Sequence, residues 1–253
     1  VIPGSVTIGF VHPGHRRECF AASLQDLILY DMAGAQRTAH PFGQLAKECG
    51  SGGIVDGRNR ICRAVVDESE SEWLLMVDSD AGFEHDTLER LIAAADPETR
   101  PVVGALSFGA TSDGKAPMFG QRYRAYPTLM IYYDLSDKVG FAPMSAYPVD
   151  QLVEVSGTGC HCILIHRSAL EKIRGRFAGQ FAAGQEWYTP ITHPKGPTTF
   201  SEDLSFCVRA AAADIPIHVH TGIKTTHDKG FAFLDEEWWI GQEVAAGRMV
   251  PRV

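Results

Sequence analysis

At 253 residues and 45% hydrophobic composition the chain is long enough to bury a substantial core. That favours one elaborated α/β domain, with two tightly joined halves as the alternative. A formal net charge of -8 and a pI of about 5.7 leave no global field to draw nucleic acid. No apolar run approaches membrane-spanning length and no basic-then-apolar leader is present, so a soluble cytoplasmic protein is expected.

In chain order, Val6–Val11 predicts a buried first strand, stopped by His12-Pro13-Gly14. Residues 16–31 carry Phe20, Leu24, Leu27 and Ile28 at helical spacing. A second strand is expected at Gln44–Cys49, before the Gly50-Ser51-Gly52-Gly53 break. Asp56 can cap a helix through about Val66, with Ile61, Ala64 and Val65 facing inward. The run 73–78 predicts a strand, His85–Ala95 a helix closed by Asp96-Pro97, and Val102–Leu106 a further strand. This alternation predicts a parallel sheet with helices on both faces. From 108 to 152 the pattern loosens around a hairpin strand at Thr128–Tyr133. The segment 153–166 is strand-like, Ser168–Ile173 begins a short helix, and 175–199 is irregular. Ser201–Ala213 reads as a helix, Ile217–His220 as a strand and Leu234–Ala246 as a last helix.

Cysteines at 19, 49, 62, 160, 162 and 207 include no CxxC pair, so free, mostly buried thiols in a reducing compartment are expected. Cys160 and Cys162 flank His161. In a strand the two thiols would share a face that His161 does not, which argues against a zinc site.

The strand 73–78 runs into Asp78-Ser79-Asp80. Residues i and i+2 of an extended strand share a face, so the two carboxylates can converge. Hard oxygen ligands of this kind suit Mg²⁺ or Mn²⁺ that is also held by substrate phosphates. A plain strand-to-loop junction uses the same residue types. Glu202 and Asp203 open a helix, where acidic residues offset the macrodipole, and Thr199 with Glu202 fits a capping box. Such a carboxylate at a cleft mouth could instead accept a proton from an attacking hydroxyl. His227 lies between Lys224 and Lys229 in a stretch ended by Gly230, a sensible loop for a metal ligand beside phosphates. Gly157-Thr158-Gly159 lets backbone approach a ligand or forms a bulge. Trp187-Tyr188, in a Pro/Gly-rich stretch, could stack on a sugar ring or pack in the core.

Taken in order, the Asp-x-Asp strand end, the Gly-Thr-Gly strand, the Glu-Asp helix and the later His227 resemble the GT-A glycosyltransferases, specifically the small family-2-like enzymes of bacteria and their phages. The resemblance runs from Val6 to about Gly230, with the strongest local matches at 58–83, 155–171 and 200–227. It implies one GT-A domain over 1–253, of α/β class with a mixed, mostly parallel sheet flanked by helices. Residues 1–107 would be the nucleotide-sugar-binding half, and 108–253 the acceptor-binding and catalytic half with a C-terminal helix.

The same resemblance implies roles for individual residues. Asp80 would bind Mn²⁺ or Mg²⁺, Asp78 would touch the ribose or the metal through water, and His227 would be a third metal ligand. His12-Pro13 would border the base, Arg58-Asn59 would reach the donor, and Ser79, Lys224 and Lys229 would sit on the donor side. Gly157, Thr158 and Gly159, with Trp187 and Tyr188, would line the acceptor cleft. Asp203 would be the catalytic base, with Glu202 beside it. His161 departs from the pattern, because relatives usually carry an apolar or small residue there.

The implied reaction is metal-dependent, inverting transfer from a nucleotide sugar, expected to be a UDP-sugar, to a hydroxyl on a protein or soluble glycan. Four alternatives stand beside it. A nucleotidyltransferase of similar fold would need a Gly-rich basic loop, and here that loop is only His12–Arg17. A retaining glycosyltransferase would not use Asp203 as base. Acidic net charge and the lack of a basic stripe count against a DNA-base glycosyltransferase. A non-catalytic sugar-nucleotide-binding module is disfavoured because every candidate catalytic position holds a competent side chain. No G-x-G-x-x-G follows the first strand, which disfavours a dehydrogenase.

Overall fold

The computed structural model describes residues 1–38, 42–45, 53–112, 123–136, 138–194, 197–230 and 232–249. Strand β1 (Ile2–His12) is followed by α1 (Glu18–Ala33), β2 (Phe42–Leu45), α2 (Ile54–Arg63), β3 (Ser71–Val77), β4 (Ala81–Phe83), α3 (Thr87–Ala94) and β5 (Val102–Leu106). Then come β6 (Phe108–Ser112), β7 (Tyr123–Pro127), β8 (Met130–Asp134), β9 (Val139–Pro143), β10 (Leu152–Val155), β11 (Cys162–His166), α4 (Arg167–Arg176) and α5 (Ala178–Ala182). The described chain closes with α6 (Glu202–Ala212), β12 (Ile217–Asp228), β13 (Phe233–Leu234) and α7 (Glu236–Ala245).

The central sheet has the order β10-β12-β5-β11-β3-β1-β2, and the far end of β12 also pairs with β4 and β13. All strands of that path run one way except β10 and β11, so the sheet is mixed and mostly parallel. Side chains alternate across it, as strand geometry requires. Leu74 and Met76 of β3 face a core shared with Ile61, Leu170 and Phe206 from α2, α4 and α6. Trp73, Leu75 and Val77 face a second core with Phe20, Leu27 and Leu91 from α1 and α3. Helices therefore cover both faces, which is why the central strands are apolar runs with no polar side. None of the described helices is long and apolar enough to cross a membrane.

Several local expectations are corrected. The segment 153–166 is two strands, and they lie apart: β10 edges β12, while β11 sits between β5 and β3. Between them the chain turns toward the β8–β9 hairpin, and the amide of Met130 donates to Gly157 O at 2.8 Å. A Cβ at Gly157 would stand 2.9 Å from Phe141 Cε1 and 3.1 Å from Leu204 Cδ2. Gly157→Ala is therefore expected to cost about 1–3 kcal/mol of stability, read by urea unfolding, because the ring must move.

The strand expected at Ile217–His220 continues to Asp228, so Lys224–Asp228 is strand and not loop. Its register with β5 shifts between His220 and Lys224, and beyond that point it pairs β4. Helix α2 starts at Ile54 after Gly53, so Asp56 lies inside its first turn and is not the cap. Ser201 caps α6 by accepting from the Leu204 amide at 3.4 Å, whereas the Thr199 hydroxyl pairs with that of Thr192. Of the expected second strand, Phe42–Leu45 is observed and the remainder lies outside the described residues.

Cys62, Cys160, Cys162 and Cys207 are buried free thiols. Cys160 packs in one core and Cys162 in the other, so they do not share a face. Burial pushes the Cys162 and Cys207 thiols up to about 12, which leaves them protonated and inert.

Candidate functional site

Four backbone elements bring the polar residues together. Strand β3 ends at Val77, and Asp78–Asp80 form the turn into β4, closed by the Ala81 amide donating to Asp78 O at 3.1 Å. The two carboxylates thus converge through a turn and not through strand alternation. Because β4 pairs antiparallel with β12, His227 is registered with Ala81 and arrives beside Asp80. Because β11 pairs antiparallel with β3, residue 161 faces the same turn, and the Asp78 amide donates to His161 O at 2.9 Å. Helix α2 lies close against β1, since a Cβ at Gly57 would stand 2.7 Å from Val11 Cγ2. That close approach carries Arg58 under the site.

Asp80, His161 and His227 each offer a ligand atom, all within 4.8 Å of one another. His227 Nε2 is 3.1 Å from Asp80 Oδ2, while its Nδ1 lies 3.0 Å from the Phe108 carbonyl. His161 Nδ1 is 3.4 Å from Asp78 Oδ2, and its Nε2 lies 3.1 Å from the Thr226 carbonyl. Lys229 Nζ stands 3.6 Å from Asp80 Oδ2. One carboxylate and two imidazoles at these spacings form a donor set that fits a divalent cation.

Below this group, Arg58 is 2% exposed and touches three carboxylates. Its Nη2 donates to Asp78 Oδ1 at 2.7 Å, and its Nη1 to Asp203 Oδ1 and, at 3.3 Å, to Glu202 Oε1. Tyr188 lies beneath the guanidinium at 5.5 Å. Burial alone would push the Asp78 carboxyl up, but Arg58 and His161 hold it well below the usual carboxylate range. Burial likewise works against the Asp80 carboxylate and is outweighed by His227 and His161. Glu202 moves the other way, raised by burial and by the charge of Asp203. The Arg58 charge opposes its own burial and persists because Asp203 and Asp78 face it.

A cavity of about 320 Å³ opens above the metal-ligand group. His12 and Pro13 border it at the end of β1, Asp78, Ser79 and Asp80 at the end of β3, and His227 and Lys229 at the end of β12. The chain leaves β1 toward β2 on one side and returns to β3 on the other, so the cavity sits at the carboxyl ends where strand order reverses. Open α/β sheets bind ligands at such switch points.

Among solved structures, the chain is similar to the crystal structure of A197 from STIV. The identity is 14%, over 88% of this chain and 85% of that one, with a TM-score of 0.47. It is also similar to the crystal structure of a glycosyltransferase involved in the glycosylation of the major capsid of PBCV-1, at 16% identity over 72% of this chain and 68% of that one, with a TM-score of 0.36. No family model and no curated protein matches the chain.

Other expected site residues lie elsewhere. Arg58 is enclosed by carboxylates and does not line the cavity. Asn59 is buried, and its Oδ1 accepts from the Tyr188 amide at 2.9 Å, so it braces the core. Lys224 extends to Glu236 Oε2 at 2.5 Å and does not line the cavity. Trp187 and Tyr188 are wholly buried and present no face to a sugar. Trp187 Nε1 donates to Leu170 O at 2.9 Å, and Tyr188 stacks on Phe206 at 5.0 Å between ring centres. Thr158 is buried too, with its amide on Cys207 Sγ at 3.5 Å. Gly159 does border the carboxylates, with Asp203 Oδ2 3.8 Å from where a Cβ would be.

His161 was not expected among the ligands. Its one sequence signal is a polar residue between two cysteines where an apolar one would fill the strand.

Proposed function

We propose that the chain is a divalent-metal-dependent glycosyltransferase that moves a sugar from a nucleotide-sugar donor, with a UDP-sugar as the proposed donor, to a hydroxyl acceptor. The observation that carries this reading is the meeting of Asp80, His227 and Lys229 in a cavity at the carboxyl ends of β1 and β3. A divalent cation bound there, Mn²⁺ or Mg²⁺, supplies positive charge to the departing nucleoside diphosphate. Asp80 and His227 would hold it, Lys229 would add a charge toward the phosphates, and the His12-Pro13 turn would border the base. Residues 1–107 would then serve mainly the donor, and 108–253 the acceptor and the base.

Asp203 is the proposed base. Arg58 occupies its Oδ1, and its Oδ2 faces Gly159, the direction from which an acceptor hydroxyl would come. The acceptor oxygen would bond to the anomeric carbon as the carbon–phosphate oxygen bond breaks, and Asp203 would take the hydroxyl proton. A single displacement of this kind inverts configuration. Glu202, whose carboxyl is raised by burial and by Asp203, would hydrogen-bond an acceptor hydroxyl. A protein side chain or soluble glycan is the proposed acceptor class.

The reading is tested by screening nucleotide sugars for nucleoside diphosphate release with Mn²⁺ present, and by intact-mass spectrometry of candidate acceptor proteins. Excess chelator should suppress turnover at least about tenfold, with recovery on adding Mn²⁺. Full activity in chelator would remove the metal role, and silence across donors and acceptors would remove the enzyme.

A further inference from the structure

His161 joins the cavity from a strand that the donor site otherwise does not use. Its Nε2 lies 3.1 Å from the Thr226 carbonyl, which can only accept, so that nitrogen carries a hydrogen. In the neutral ring the lone pair is then on Nδ1, 3.4 Å from Asp78 Oδ2 and 4.0 Å from Asp80 Oδ1. His227 is arranged in the same way. Its Nδ1 meets the Phe108 carbonyl at 3.0 Å, so its Nε2 lone pair points at Asp80 Oδ2, 3.1 Å away. Two rings, each pinned by a backbone carbonyl, therefore aim lone pairs at anionic oxygens. Such contacts repel in isolation and become attractive around a shared cation. Pinning of the outer nitrogen is also how proteins orient imidazole ligands.

The packing leaves little freedom for these rings. Their centres are 4.3 Å apart at 41°, and His161 is 4% exposed. Asp78 completes the outer layer, with Oδ1 on Arg58 and Oδ2 toward His161. Ligand atoms bound at about 2.1 Å to one ion sit about 3–4.2 Å apart, close to the spacing of this group. The donor chemistry matters as well. Mg²⁺ is usually held by one or two carboxylates plus substrate phosphates, whereas imidazole nitrogen suits first-row transition ions.

We infer that His161 is a third protein ligand alongside Asp80 and His227, and that this chain holds Mn²⁺ in preference to Mg²⁺ before any nucleotide arrives. The inference deepens the glycosyltransferase reading and rests on it for the ion's use, but not for its binding. Three protein donors leave open positions toward the cavity side, where Lys229 and the His12-Pro13 turn lie. The ion would then be a resident of the protein and not a passenger of the donor diphosphate.

The test uses full-length chain stripped by chelator and dialysed, titrated with MnCl₂ without nucleotide while free Mn²⁺ is followed by electron paramagnetic resonance. One ion per chain should bind, and Mg²⁺ should displace it only at about 100-fold higher concentration or more. Pulsed resonance should detect two imidazole nitrogens on the bound Mn²⁺. In His161→Asn, whose amide can still meet the Thr226 carbonyl, one nitrogen should remain and affinity should fall about tenfold or more. If that variant does not fold, the nitrogen count of the wild-type chain decides.

Absence of nucleotide-free Mn²⁺ binding would overturn the inference. So would a variant with unchanged affinity and unchanged nitrogen signals. Nucleotide-free binding through two imidazoles in a chain that turns over no nucleotide sugar would leave the site standing and remove the glycosyltransferase reading. Sugar transfer with Mn²⁺ detectable only when nucleotide is present would do the reverse.

Discussion

Arg58→Met is expected to lower stability by about 2–4 kcal/mol, the largest loss anticipated for a single side chain near the site. Methionine fills much the same space, so the cost is mainly electrostatic. Asp78, Glu202 and Asp203 would keep their negative charges and lose the cation between them, and stranding part of a buried ion pair is the expensive way to break it. The carboxylates are about a quarter exposed, which lets water offset some of the loss. The pH dependence supplies an independent check. Asp78 is held well below its ordinary value, so the stability it contributes is present above the unfolded pKa of about 3.9. That contribution is lost as the pH falls through the depressed folded value. The gap between wild type and Arg58→Met should therefore be widest near neutrality and close in acid. Chemical denaturation in chelator at a series of pH values measures it, and a gap that widens in acid would contradict the clamp.

Asp80→Ala is expected to reduce turnover of a nucleotide sugar by about 100- to 1,000-fold, the scale of losing one electrostatic stabiliser of a charged leaving group. Stability should change little, because Asp80 is about a third exposed and its partners His227 and Lys229 lie at the cavity rim. Steady-state kinetics with Mn²⁺ held constant, together with a thermal unfolding curve, separate the two effects. A variant that keeps its fold and its activity would sink the proposed metal role. The contrast with Arg58→Met is informative, since one residue faces the cavity and the other faces only protein.

Much of the architecture was legible in the order of residues. Uninterrupted apolar runs at Val6–Val11, Leu74–Val77 and Val102–Leu106 can only be strands buried on both faces, and all three lie in the central sheet. The Phe20–Leu24–Leu27 spacing marks a helix covering one face. Asp78 and Asp80 were visible as polar residues at the end of such a run, and a polar strand end at a sheet's carboxyl edge is a natural ligand position. These features are local, set by periodicity within a few residues.

Pairing between distant strands decided the rest. Trp187 and Tyr188 sit in a Pro/Gly-rich stretch that suggests an exposed loop, yet the stretch folds back so that both rings fill the core beside α6. Arg58 looks like a phosphate ligand in one dimension, and only the approach of α6 to α2 turns it into the hub of three carboxylates. His161 reads as an odd residue between two cysteines until β11 docks antiparallel on β3 and the end of β12 brings His227 against its ring. Composition and periodicity settle which face of an element is apolar and where a strand must stop. Which polar side chains then share one point depends on register between segments that are remote in sequence, because a carboxylate and an imidazole interact only over a few ångströms and carry no local signal of their partner.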